Sequence, residues 1–133
     1  MIAVDTSALI AILENEPESA MLLHGLLASP AKCISAVTLL EARMVSSRRR
    51  PVSILPDLIS LMTSADIKTV TFDPAQSDIA STAFQSFGKG SGHPARLNFG
   101  DCAAYALASS RDIPLLFVGD DFSQTGIRSA LAP

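Results

Sequence analysis

Four parts of this sequence carry carboxylates where a catalytic site would want them. Asp5 follows the apolar run Ile2-Ala3-Val4, and Asp120-Asp121 follows Leu115-Leu116-Phe117-Val118. Glu41 falls about one and a half turns into the helix that leaves a third apolar run, Cys33-Ile34-Ser35. Asp101 sits in the first turn of a helix capped by Asn98, near the positive end of that helix's dipole. In open α/β sheets ligands bind outside the carboxyl ends of the strands, so all of these acids can reach one rim. Gathered carboxylates repel one another and stay ionised most readily around a divalent cation. An all-oxygen donor set suits Mg²⁺, which keeps water and phosphate in its coordination shell, and the lack of a Cys or His cluster argues against zinc. The reaction such a site serves is phosphodiester hydrolysis by a metal-activated water; two ions about 3.5–4 Å apart would clamp the attacking and leaving oxygens together.

Taken singly, each acid also has a plain reading. Asp5 can be a helix cap, Asp101 a first-turn acid favoured by the dipole, Glu41 a solvated helical residue, and Asp73 a cap before Pro74. Joint placement carries the argument. Glu41 is its most informative member, because Leu39, Leu40, Ala42, Met44 and Val45 surround it with apolar neighbours.

The elements that must position these acids alternate. Strands are expected at 2–4, 33–35, 67–72 and 113–118. Helices are expected at 8–13, capped by Thr6 or Ser7, at 20–27, from 37 to about 48, at 55–65 opened by Pro56, at 74–87, and at 102–110 after a capping box formed by Asn98 and Asp101. The segment 88–94 holds three of the seven glycines and reads as an exposed, mobile loop. The expected class is α/β: a mostly parallel sheet of four to five strands with helices on both faces and right-handed crossovers. No repeat, linker or second domain interrupts residues 1–133.

At 133 residues the chain has room for one hydrophobic core. It is 48% hydrophobic and 17% charged, against about 25% charged on average, which excludes a disordered tail and suggests surface hidden in an oligomer or a partner complex. With net charge −3, sequence-independent clinging to nucleic acid is not expected. No apolar stretch is long enough to cross a membrane, and Asp5 interrupts the apolar start with no basic region before it; a cytoplasmic protein is expected. Cys33 and Cys102 fit no metal or disulfide framework and read as small buried hydrophobes.

Two basic features are candidates for substrate contact: Arg48-Arg49-Arg50 at a helix end, and the glycine loop with Lys89, His93 and nearby Arg96. The loop lacks the order of a nucleotide P-loop, which excludes that class of NTPase. His93 has no nucleophile partner and reads as an exposed loop residue. A phosphatase working through an aspartyl phosphate would want a second acid where Ser7 stands. A phospho-receiver domain would want its acidic pair after the first strand, not the last.

The segments Val4-Asp5-Thr6-Ser7-Ala8-Leu9, 34–42 (ISAVTLLEA), 97–108 (LNFGDCAAYALA) and 115–122 (LLFVGDDF) together resemble the PIN-domain ribonucleases of the VapC toxin type, in order along the whole chain. The resemblance implies a three-layer α/β/α sandwich and one PIN domain over residues 1–133. It implies the toxin of a type II toxin–antitoxin module: an Mg²⁺-dependent endoribonuclease, with Mn²⁺ able to substitute, acting on tRNA, rRNA or mRNA. Its partners would be a second copy of itself and a VapB-type antitoxin, in a heterotetramer or larger. Carried over, Asp5, Glu41 and Asp101 take the first three acidic positions as catalytic and metal-binding residues. The fourth falls on Asp120 or Asp121, with Asp120 favoured by its place at the strand end. Thr6 and Ser7 would bind metal waters or position Asp5; Lys89 and Arg96, by their charge in and beside the glycine loop and not by the resemblance, are the residues expected to touch substrate. The rival expectation is a catalytically inactive PIN-fold module acting through its antitoxin or RNA partner.

Overall fold

Successive side chains of a strand point to opposite faces of a sheet, and the short strands here fill a core on each face. The computed structural model describes residues 1–131. Its strands are β1 (Ile2–Val4), β2 (Lys32–Ser35), β3 (Ile67–Val70) and β4 (Leu115–Leu116). Its helices are α1 (Thr6–Leu13), α2 (Ser19–Ala28), α3 (Ala36–Ser47), α4 (Ile54–Ser64), α5 (Pro74–Phe87) and α6 (Phe99–Arg111), followed by a 3₁₀ turn at Phe122–Gln124. The strands pair in parallel in the order β3-β2-β1-β4. Ile2, Val4, Ile34, Ile67 and Leu116 pack with Leu9, Leu22, Leu26, Ala42 and Leu58 of α1 to α4. Ala3, Cys33 and Leu115 pack on the other face with Leu97, Phe122 and residues of α6 such as Ala104, Leu107 and Ala108. This is the expected three-layer α/β/α arrangement.

Several boundaries differ from expectation, each for a local reason. α1 is capped neither by Thr6 nor by Ser7: Asp5 caps it, its Oδ2 accepting the Ser7 N–H at 3.0 Å. The strand therefore passes into the helix with only Asp5 between them. α4 starts at Ile54, which places Pro56 inside the first turn, where a missing N–H leaves no bond unmade. The strand expected at 113–118 shrinks to Leu115–Leu116. Its outer edge is completed instead by single bonds, Leu115 N–H to Arg128 O and Ala130 N–H to Leu115 O, both 2.9 Å. Four strands form, with no fifth among the described residues.

The cap at Asp73 and the capping box at Asn98 stand where the sequence puts them. Asp73 Oδ1 accepts the Gln76 N–H at 2.8 Å, with Pro74 in the first turn. Asn98 Oδ1 accepts the Asp101 N–H at 2.9 Å, while Asp101 Oδ2 accepts the Asn98 N–H at 3.0 Å. The glycine loop is more closed than expected. Lys89 N–H donates to Leu97 O at 3.0 Å and Leu97 N–H to Phe87 O at 2.9 Å. Half-buried His93 stands edge-on to Phe87 at 4.8 Å, so it is a packed residue and not a free loop side chain. Among the described residues no helix is long and apolar enough to cross a membrane.

Because Asn98→Ala removes the oxygen that accepts the Asp101 N–H and leaves only the reciprocal bond, it is expected to destabilise the protein by about 1 kcal/mol. Urea denaturation monitored by circular dichroism measures this, and an unchanged midpoint would contradict it.

Candidate active site

Asp5 ends β1, the strand flanked on one side by β2 and on the other by β4, and its N–H donates to Leu116 O at 3.0 Å. This is where the strand order reverses, the point at which a crevice opens in α/β sheets. A cavity of about 340 Å³ lies there, lined by Asp5, Thr6, Ser7, Glu41, Arg49 and Asp101. Ile10, Val45 and Val118 supply its apolar wall and Glu16 a further acid. A larger cavity of about 720 Å³, beside Lys32, Lys68, Thr69 and Arg111, contains none of the expected catalytic acids.

Short bonds lock the cavity walls together. The Thr6 hydroxyl donates to Glu41 Oε1 at 2.6 Å and lies 3.3 Å from Thr38 O, which ties α1 to α3. Ser7 Oγ accepts the Val118 N–H at 3.2 Å and holds the chain just beyond β4. Asp101 is fixed by the capping box described above. Arg49, just past the end of α3, pairs with Glu14 at 3.2 Å on the cavity's edge.

Asp5 is only 3% exposed. Its Oδ1 is buried and has no hydrogen-bond partner. Burial is the main cause that lifts its pKa from 3.8 to about 7; the hydrogen bonds of Ser7 oppose the shift, and the Asp101 and Glu41 carboxylates add to it. Asp101, half-buried, is pushed up to about 6, chiefly by burial. The Asn98 N–H opposes that shift, Asp121 and Glu41 raise it further, and Lys89 pulls it down. Asp5 and Asp101 are thus both harder to ionise for having carboxylates beside them. Among the described residues no three His, Cys, Asp or Glu side chains stand close enough to cage an ion unaided. Hard oxygen donors, a buried unpartnered carboxylate oxygen and mutual repulsion nevertheless fit a divalent cation that retains part of its water.

The PIN domain family model matches residues 2–127. Ribonuclease VapC28 of Mycobacterium tuberculosis is 42% identical over 128 residues, 96% of each chain. The chain belongs to the VapC ribonucleases of the PIN-domain family. Its fold matches the crystal structure of VapC20 from Mycobacterium tuberculosis, a Sarcin-Ricin loop cleaving toxin, at TM-score 0.75 with 18% identity over 96% of each chain. A toxin–antitoxin complex from Klebsiella pneumoniae matches at TM-score 0.72 with 15% identity over 98% of each.

In this PIN domain the expected site residues separate into groups. Asp5, Thr6, Ser7, Glu41 and Asp101 share the cavity. Asp120 and Asp121 are exposed beyond it, and only Asp121 bears on Asp101. The strand-end argument for Asp120 assumes that β4 runs to Val118. β4 stops at Leu116, and Gly119 with φ of 100° then turns the chain, leaving Asp120 to accept the Ser123 hydroxyl on its backbone carbonyl at 2.7 Å. Lys89 stands near enough to Asp101 to influence it, whereas Arg96 is exposed and does not line the cavity. Of the three arginines, Arg49 alone reaches the cavity. Both cysteines are buried, and burial raises the pKa of each thiol, that of Cys102 to about 11. Sequence reasoning missed Glu16, which reads as part of an acidic loop, and Gly100, whose backbone rests against the Glu41 carboxylate.

A carboxyl whose pKa is higher in the fold than in the unfolded chain destabilises the fold once both states have lost the proton. For Asp5 this penalty is absent below pH 3.8, grows up to about 7, and is complete above that. Metal-free protein is therefore expected to lose stability as pH rises through this window. Asp5→Asn removes the ionisation, so above neutrality the variant should be more stable than wild type by about 2 kcal/mol, roughly half of the shift's equivalent once the structure relaxes. Urea unfolding in EDTA across pH tests this; parallel wild-type and variant curves would refute it.

Proposed function

We propose that residues 1–133 act as one PIN domain whose acid cavity is the centre of an Mg²⁺-dependent endoribonuclease, with Mn²⁺ able to substitute. The observation that carries this reading is Asp5: buried, central in the sheet, with a carboxylate oxygen that no protein group satisfies. A bound divalent ion would supply an acidified water and neutralise charge developing on the phosphate. Asp5, Glu41 and Asp101 would hold it, with Asp121 favoured over Asp120 as the fourth acid by its effect on Asp101. Thr6 fixes the orientation of Glu41, and Ser7 holds Asp5 and the segment after β4 in place. Arg49 and Lys89 are the cations nearest the acids and would bind RNA phosphates on either side of the scissile bond; Arg96 would contact RNA farther out.

The antitoxin partner is supported by the likeness to toxin–antitoxin complexes. We assign it to the VapB type, in a heterotetramer or larger built on a toxin homodimer in the cytoplasm. Exposed Met21 and Leu27 on α2 and Ile59 on α4 support contact through those faces. Phe84 on α5 and Phe99 on α6, the latter 81% exposed, line a second apolar groove, and Leu40 and Met44 on α3 are further exposed apolar side chains.

Purified, antitoxin-free protein is expected to cut cellular RNA into discrete fragments in Mg²⁺ or Mn²⁺, and not in EDTA or as Asp101→Asn. Fragments that persist in EDTA would overturn the metal reading. Arg49→Ala should raise KM for RNA several-fold with a smaller change in kcat, as loss of one phosphate contact implies. An unaltered KM would remove Arg49 from the substrate path.

A further inference from the structure

Gly100 is buried in the first turn of α6, between the exposed Phe99 and Asp101. Glycine is a poor helix former, and this one does not take a left-handed conformation that would explain its presence. The reason is steric. A methyl group added to its Cα would collide with the Glu41 carboxylate, meeting the carboxyl carbon and both oxygens. On another side, the Thr6 hydroxyl grips Glu41 Oε1 at 2.6 Å. The carboxylate is therefore seated between a hydroxyl of α1 and the bare backbone of α6.

α3 carries Glu41 and packs in one helical layer, while α6 carries Asp101 and packs in the other. Both acids line one cavity because the two helices meet across the rim of the sheet, and Gly100 against Glu41 is a point of that meeting. We propose that Gly100 is a positioning residue of the acid site. The missing side chain lets α6 close on the Glu41 carboxylate, and so sets the spacing between Glu41 and Asp101. An alanine there would push Glu41 off the Thr6 hydroxyl or push the first turn of α6 outward with Asp101. This inference rests on the reading of Glu41 and Asp101 as acids of the nuclease site.

The test compares wild type, Gly100→Ala, Glu41→Asp and the double variant. Readouts are the Mn²⁺-induced rise in melting temperature, and kcat and KM on an RNA that the wild type cleaves. Gly100→Ala is expected to lower kcat by about 100-fold, the scale of a small misplacement of catalytic groups, with KM little changed and the Mn²⁺ response reduced. Glu41→Asp retracts the carboxylate by one methylene. Alone it should lower activity, yet added to Gly100→Ala it should restore part of both kcat and the Mn²⁺ response. Wild-type behaviour in Gly100→Ala, or a loss that Glu41→Asp leaves unrelieved, overturns the inference.

If Gly100→Ala is too unstable to assay, a stability cycle decides. In a Glu41→Ala background the space is empty, so Gly100→Ala should then have no destabilising effect; equal destabilisation in both backgrounds overturns the proposal. Asp101→Asn run alongside distinguishes the two levels of failure. Full cleavage and full Mn²⁺ response in that variant would overturn the acid-site reading, and the inference with it.

Discussion

A carboxylate buried at the end of the central strand is the constraint on which the rest of the site depends. Removing a charge from water is unfavourable unless something compensates, and Asp5 is compensated only in part. Its Oδ2 takes the Ser7 N–H at the start of α1, where the helix dipole also favours an anion, while its Oδ1 has no partner. The fold tolerates the remainder because β1 is bonded on both sides and cannot move to relieve it. What destabilises the empty protein is what would favour a divalent cation, a trade of stability against function common at active sites.

The second requirement is that two helical layers meet at the same rim. α6 achieves this with small residues: Gly100, Cys102, Ala103, Ala104, Ala106 and Ala108 are all buried, so its backbone approaches the sheet and its neighbours closely. The absence of a side chain at residue 100 admits the Glu41 carboxylate, and the capping box fixes the turn that carries Asp101. Packing and chemistry are thus the same contacts in this part of the molecule.

The electrostatics follow from this geometry. Glu41 and Asp101 act on Asp5, and Glu41 and Asp121 on Asp101, in a chain with net charge −3; the opposite sign is supplied by Lys89, which acts on Asp101, and by Arg49, which lines the cavity. A polyanion approaching such a cavity meets repulsion unless a cation is already there. The proposed metal dependence and a local, not global, attraction for RNA would both follow from this charge distribution.

Much of this was legible in the residues themselves. Short apolar runs, caps at Asp73 and Asn98, and acids placed after strands act over a few residues, and such local signals determined the α/β class, the element order and the positions of Asp5, Glu41 and Asp101. The motifs at 4–9, 34–42, 97–108 and 115–122 likewise point to the VapC ribonucleases from the residues alone. What only the tertiary structure decided involves distance between segments far apart in sequence. β4 ends at Leu116, level with the point where β1 gives way to α1, and the chain then turns at Gly119, which leaves Asp120 outside the cavity and Asp121 bearing on Asp101. Arg49, and not its neighbours, reaches the cavity through the direction in which α3 ends. Gly100 acquires a purpose only when Glu41, remote in the chain, is packed against it, because a steric demand for an absent side chain exists only between surfaces that folding has brought together.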